Sequence, residues 1–153
     1  MNLKKNIIRI LAVLIVLIIV RNIIPFSKPG IKVTYNGSKV ETAQWDYIWV
    51  PKNSGGNSGI CDVIPKLADN IKATTVKGGD KVKFRFNTIL KQPRKTVTLH
   101  MVNNEEIPVN KRESWKGNNY FSAPKEKGEY VYIINGDWDR THDANYLVKI
   151  CVE

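Results

Sequence analysis

Residues 77–86 read Lys77-Gly78-Gly79-Asp80-Lys81-Val82-Lys83-Phe84-Arg85-Phe86. A Gly-Gly-Asp turn is followed by strict alternation, with Val82, Phe84 and Phe86 on one face and Lys81, Lys83 and Arg85 on the other. A period of two is the signature of a half-buried strand. The pattern recurs at residues 96–102, where Val97, Leu99 and Met101 point inward and Thr96, Thr98 and His100 outward, which predicts an exposed His100. Upstream, Ile31, Val33 and Tyr35 alternate with Lys32 and Thr34 before Asn36-Gly37, a hairpin signal. Residues 45–50, 129–134 and 145–152 supply further strands, the last two joined through Asn135-Gly136 and a charged loop. Ile107 and Val109 flank Pro108, which suits an edge strand because proline has no N–H to donate. No segment after residue 30 carries a sustained helical stripe. About 7–9 short strands predict an all-β, Ig-like antiparallel β-sandwich, with a small barrel as the alternative.

The first residues are of a different kind. Lys4, Lys5 and Arg9 precede the apolar run of residues 10–20, and no acid occurs before Glu41. Basic residues ahead of an apolar run are read by the export machinery, and the basic end stays in the cytoplasm. Nothing small stands where a signal would be cut until Ser27. The expected organisation is a signal anchor at residues 1–26, with a transmembrane helix over about 7–26. A linker at 27–30 and an extracytoplasmic domain at 31–153 complete it. The localisation expected is the cell membrane, single-pass, with secretion after cleavage as the alternative.

Five of the 24 Lys/Arg lie before residue 31, leaving 19 against 14 Asp/Glu in the domain. An excess this small suits a solvated surface attracted to anionic lipid or wall polymer. Nucleic acid is not expected as a partner, since basic and aromatic residues do not interleave. The partners expected are the lipid bilayer through residues 7–26 and a cell-surface protein or wall polymer.

Candidate sites are few. Asp137, Asp139 and Asp143 share a short segment with His142 and are weak metal candidates. The segment lacks the central Gly and the closing Glu of a calcium loop, and Arg140 supplies its own countercharge. No metal or other cofactor is expected. Trp45, Tyr47 and Trp49 alternate on one strand, as core or as an aromatic binding face for a sugar or peptide. Tyr130, opening the penultimate strand, suits a tyrosine corner. Cys61 and Cys151 either pair, as cysteines outside the cytoplasm can, or serve as two small hydrophobes. There is no Gly-x-Ser-x-Gly or His-Glu-x-x-His, so no catalytic residue is assigned.

The segments Tyr47-Ile48-Trp49, Gly59-Ile60-Cys61-Asp62, Gly79 with Val82-Lys83-Phe84, and Phe121 through Tyr132 form a set with Trp138 and the closing 143–150. Across residues 45–152 the chain resembles secreted or membrane-tethered Ig-like domains of Gram-positive, bacillus- or clostridium-type bacteria. The resemblance implies a cell-surface β-sandwich and no activity. Such sequences often carry Cys between the Tyr and Trp, paired with the Cys of the Gly-x-Cys-x-Asp segment; here that position is Ile48. The resemblance thus leaves Cys61 free or bonded to Cys151. The expected function is a non-catalytic extracytoplasmic binding module, the alternative a cell-surface hydrolase or protease-inhibitor-like regulator.

Overall fold

The computed structural model describes residues 2–25, 27–50, 57–59, 64–100, 106–108 and 119–153. Its elements are α1 (Asn2–Arg21), β1 (Ile31–Tyr35), β2 (Ser38–Val40), β3 (Thr42–Trp49), β4 (Asn57–Gly59), α2 (Ile64–Asp69), β5 (Thr74–Val76), β6 (Lys81–Phe86), β7 (Arg94–His100), β8 (Glu106–Pro108), β9 (Tyr120–Ser122), β10 (Gly128–Asp139) and β11 (His142–Val152). The strands form two sheets, one ordered β2-β1-β6-β9 and the other β4-β3-β11-β10-β7-β8. All pairings are antiparallel except one. Where β3 leaves the edge of β11, β5 takes its place in parallel, Ile150 opposite Thr74. Eleven described strands exceed the 7–9 expected, because the short β2 and β4 carry too few residues to show a period.

The alternation of 81–86 is realised in full: Val82, Phe84 and Phe86 are buried and Lys81, Lys83 and Arg85 exposed. The inner face of this sheet meets Val97, Tyr132, Ile134, Tyr146, Val148 and Ile150 from the other, and this two-sheet interior is the main core. Leu99 and Tyr130 are only partly buried, and Met101 lies outside the described residues. Asn36 and Gly37 both take positive φ, 48° and 83°, the geometry of a tight two-residue hairpin turn between β1 and β2. Pro108 sits on β8, the edge strand beside β7. The Tyr130 hydroxyl donates to the Glu126 carbonyl at 3.0 Å, the backbone tie expected of a tyrosine corner.

A second cluster lies on the outer face of the larger sheet. There Ile64 of α2 and Ile71 just after it cover Ile133 and Leu147, with Leu67, Ala43, Trp45 and Val131 alongside. Even this antiparallel sheet is therefore covered on part of both faces.

Two sequence expectations change. The Asn135-Gly136 turn does not exist: β10 and β11 run on as one hairpin, with Asn135 opposite Asn145 and Gly136 opposite Ala144, and the chain reverses at Arg140-Thr141. Gly136 serves packing instead. A Cβ there would stand 2.5 Å from Phe86 Cζ and 2.8 Å from its Cε1. The second change concerns the span over 7–26. The helix ends at Arg21, where Asn22 caps it, its side chain donating to the Ile18 carbonyl at 2.9 Å and its amide to Ile19 at 3.0 Å. Beyond the cap the chain joins the domain. Ile24 packs on the core, Pro25 and Pro29 are buried, and the Lys91 amide donates to the Ile23 carbonyl at 3.0 Å. Among the described residues no helix is long and apolar enough to cross a membrane. Of the stretch counted as 20 residues, helix continues only as far as Arg21, and Arg9 and Arg21 interrupt what remains.

Candidate functional site

The tip of the β10–β11 hairpin gathers most of the residues singled out in the sequence. Asp139 Oδ1 accepts from the Thr141 amide at 2.9 Å and from its hydroxyl at 3.0 Å, and lies 2.8 Å from His142 Nδ1. Partial burial opposes ionisation of Asp139, but the hydrogen bonds from His142 and Thr141 outweigh it and hold the carboxyl below its ordinary range. The His142 ring is buried and meets Trp49 edge-on at 4.9 Å. Trp49 in turn meets Trp138 at 5.1 Å, and Trp138 meets Phe86 at 5.2 Å. The Trp138 indole donates to the Lys91 carbonyl at 2.6 Å. This row of rings closes one end of the core.

A Thr, a His and an Asp in contact invite comparison with a catalytic triad. A triad uses both imidazole nitrogens, one held by the acid and the other facing the nucleophile. Here Thr141 Oγ1, at 3.1 Å, and Asp139 Oδ1 converge on the same nitrogen, Nδ1. That geometry fixes a turn and has no relay. His100 lies on β7 well down the sheet, opposite Val131. It is half-buried rather than exposed. Both its ring nitrogens are shielded, with no hydrogen-bond partner among the described residues.

The three weak metal candidates do not behave as a set. Asp137 is nearly buried and paired to Arg94 at 3.0 Å. Asp139 is beyond a register shift in the strand and committed to His142 and Thr141. Asp143 is opposite both Asp137 and Ile48. Its carboxyl is pushed up from its ordinary range by burial and then by the Asp46 charge, with the Ile48 amide opposing in part. The three carboxylates share a shallow depression with Arg94, Asn135 and Arg140. Among the described residues no group of three His, Cys, Asp or Glu side chains is placed to hold a metal ion. The charged loop expected there is largely strand, and its acids are consumed by strand neighbours. Amides complete the patch: Asn135 Nδ2 donates to Asn145 Oδ1 at 2.8 Å, and Asn145 Nδ2 donates to Asp46 Oδ1 at 2.5 Å.

Trp45, Tyr47 and Trp49 do not share a face. On β3 the pairing slips, with Tyr47 opposite Ala144 but Gln44 opposite Tyr146, so two residues face Asn145. Such a bulge reverses the parity of the side chains beyond it. Trp45 therefore joins the outer cluster with α2, whereas Tyr47 and Trp49 turn into the two-sheet core. Tyr47 carries the Lys28 ammonium 4.6 Å above its ring, and Lys28 also donates to Gln44. The continuous aromatic platform is lost. Cys151 is a partly exposed free thiol on β11, and Cys61 lies outside the described residues.

The feature that strand-by-strand reading misses is the outer face of the smaller sheet. Pairing of β1 with β2 and β6 sets Lys32 opposite Arg85 and places Thr34 between Lys39 and Lys83. With Lys81, five basic side chains share this face, all exposed. The alternation in 81–86 gave three of them, but the partners come from residues some 45 to 55 positions earlier. No local signal announces that pairing.

No family model, curated protein or solved structure matches this chain. The fold defines it as a two-sheet, mostly antiparallel β protein, with one helix leading into the sheets and one covering part of the larger sheet.

Proposed function

We propose that this chain is an extracytoplasmic binding module of the Ig-like β-sandwich class, non-catalytic, held at a cell membrane by α1, as in Gram-positive surface proteins. The observation that carries the reading is the state of α1. Eleven Ile, Leu and Val side chains from Ile7 to Ile19 are about half exposed or more, on every side of the helix. An apolar surface open all round is unfavourable in water at about 25 cal/mol per Å² and becomes favourable once it lies among lipid tails. The basic residues Lys4, Lys5 and Arg9 stand at the start of the helix, the order that leaves that end in the cytoplasm. Arg21, at the other end, is long enough to reach headgroups while its stem stays among the tails. In this reading α1 first directs export and then remains in the membrane as the tether.

Binding rather than hydrolysis is supported by the hairpin tip, where the only Thr-His-Asp grouping described is knotted on one nitrogen. A cell-surface protein or an anionic wall polymer is the class of partner that fits. The test is flotation of the full chain with lipid vesicles, compared with Leu14→Glu/Leu17→Glu. The wild type should float and the variant should remain at the bottom of the gradient. Equal behaviour of the two would remove the tether.

A further inference from the structure

We infer that the outer face of the β2-β1-β6-β9 sheet is a binding surface for a linear polyanion whose charges repeat at the spacing of a phosphodiester chain and that carries no bases. The inference rests on the binding-module reading and specifies its ligand.

The described strands of this sheet, Ile31–Tyr35, Ser38–Val40, Lys81–Phe86 and Tyr120–Ser122, hold Lys32, Lys39, Lys81, Lys83 and Arg85 and no acid. Buried Val33, Val40, Val82, Phe84, Phe86 and Phe121 take the inner face, so parity sends every one of the five outward. Among the described residues none of them is in an ion pair. Lys81 alone has an aromatic contact, its ammonium 4.2 Å above the Tyr120 ring. The nearest acids along the chain, Glu41 and Asp80, stand just outside β2 and β6, and Asp80 already accepts from the Tyr35 hydroxyl at 2.8 Å.

The arrangement works against the free domain. Lys32 and Arg85 are direct cross-strand partners, and like charges in that relation are destabilising. Elsewhere this chain resolves the same problem with opposite charge, as at Arg94–Asp137 and Lys149–Glu129. An anion lying over the sheet would turn the repulsion into attraction. Geometry selects its shape. Lys81, Lys83 and Arg85 stand about 7 Å apart along β6, two residues of rise each, and Lys32 flanks Arg85 at about 5 Å. A row of this pitch, over a shallow open depression lined by Lys32, Thr34, Lys83, Arg85 and Asn119, suits an extended polymer with one charge per repeat better than a compact ion, which an enclosed pocket would hold. Among the described residues the face has one aromatic, Tyr120, and it is already covered by Lys81, so none of them leaves an open ring for bases to stack on.

The experiment uses the full chain in neutral detergent with an abasic phosphodiester oligomer of about 20 units as the probe, followed by titration calorimetry at two salt concentrations. Three proteins are compared: wild type, Lys83→Ser/Arg85→Ser, and Lys72→Ser/Arg140→Ser. The last pair has exposed side chains in the α2–β5 segment and at the β10–β11 tip. Wild type should bind, more weakly as salt rises. The first variant should lose about tenfold or more in affinity and show a shallower salt slope, and the second should keep wild-type affinity. Equal loss in both variants would reduce the effect to net charge and overturn the proposal, as would no binding by wild type at low salt. Tighter binding of single-stranded RNA of equal charge would overturn the exclusion of bases. Flotation of the same three proteins reads the tether independently, because α1 is intact in all of them.

Discussion

Replacing Gly136 by alanine should destabilise the domain, although alanine is the better residue inside a strand. Gly136 has no positive φ, so the backbone accepts a side chain, and relief of glycine's excess unfolded-state freedom would by itself add about 0.5–1 kcal/mol. Packing reverses the sign. The new methyl would sit 2.5 Å from Phe86 Cζ and 3.0 Å from Trp138 Cζ3. Neither ring has room to retreat, since Phe86 meets Trp138 at 5.2 Å and Tyr146 at 6.1 Å, and Trp138 is pinned through its indole N–H. Overpacking a filled core costs about 1–3 kcal/mol, so the net effect should be a loss of about 1–2 kcal/mol, or several degrees in Tm. In a Phe86→Leu background the two ring atoms nearest the methyl are gone, and the same substitution should cost less than about 0.5 kcal/mol. Urea unfolding followed by tryptophan fluorescence measures all four corners of the cycle. A gain of stability in Gly136→Ala, or an equal loss in both backgrounds, would refute the close packing of the two sheets at this point.

Removing the Tyr130 hydroxyl with Tyr130→Phe should cost about 0.5–1.5 kcal/mol in the same assay, the usual worth of one hydrogen bond, here the tie to Glu126. Burial pushes the hydroxyls of Tyr132 and Tyr146 up to about 12, with Tyr130 adding to the first. These two groups ionise near pH 10 in the unfolded chain and near 12 in the folded one, so their contribution to stability should be flat below pH 10 and fall between 10 and 12. Tyr146→Phe should shallow that fall, at the loss of the 2.6 Å bond to the Pro29 carbonyl. Asp46→Asn removes the charge that faces Asp143 and should bring the Asp143 pKa down, as carbon-detected NMR titration would show. An unchanged Asp143 would mean that burial alone raises it.

What the sequence discloses depends on how local the cause is. Alternation in 81–86 is written residue by residue, because each side chain meets its face of the sheet independently of the rest of the fold. The Asn36-Gly37 hairpin and the edge position of Pro108 are legible for the same reason, one through φ and the other through a missing donor. Asn135-Gly136 carries the same pair of letters and means something else. There glycine answers to Phe86, some 50 residues away, and only the assembled core shows it. The aromatic triple misleads because a bulge leaves no trace in composition and inverts parity halfway along β3. The candidate carboxylates were visible as a cluster, but the charges facing two of them, Arg94 at Asp137 and Asp46 at Asp143, come from other strands. The basic face could be seen only by half, since its second row depends on which strand lies beside β6.

Surface labelling of intact cells is the most direct measurement of the account as a whole. A membrane-impermeant amine reagent is applied to cells making the full chain, which are then broken, fractionated and digested for mass spectrometry. The account predicts recovery in the membrane pellet with labels on the exposed lysines of the domain, Lys32, Lys39 and Lys83 among them, and none on Lys4 or Lys5. Recovery from the cytosolic fraction with the domain lysines unlabelled would contradict it.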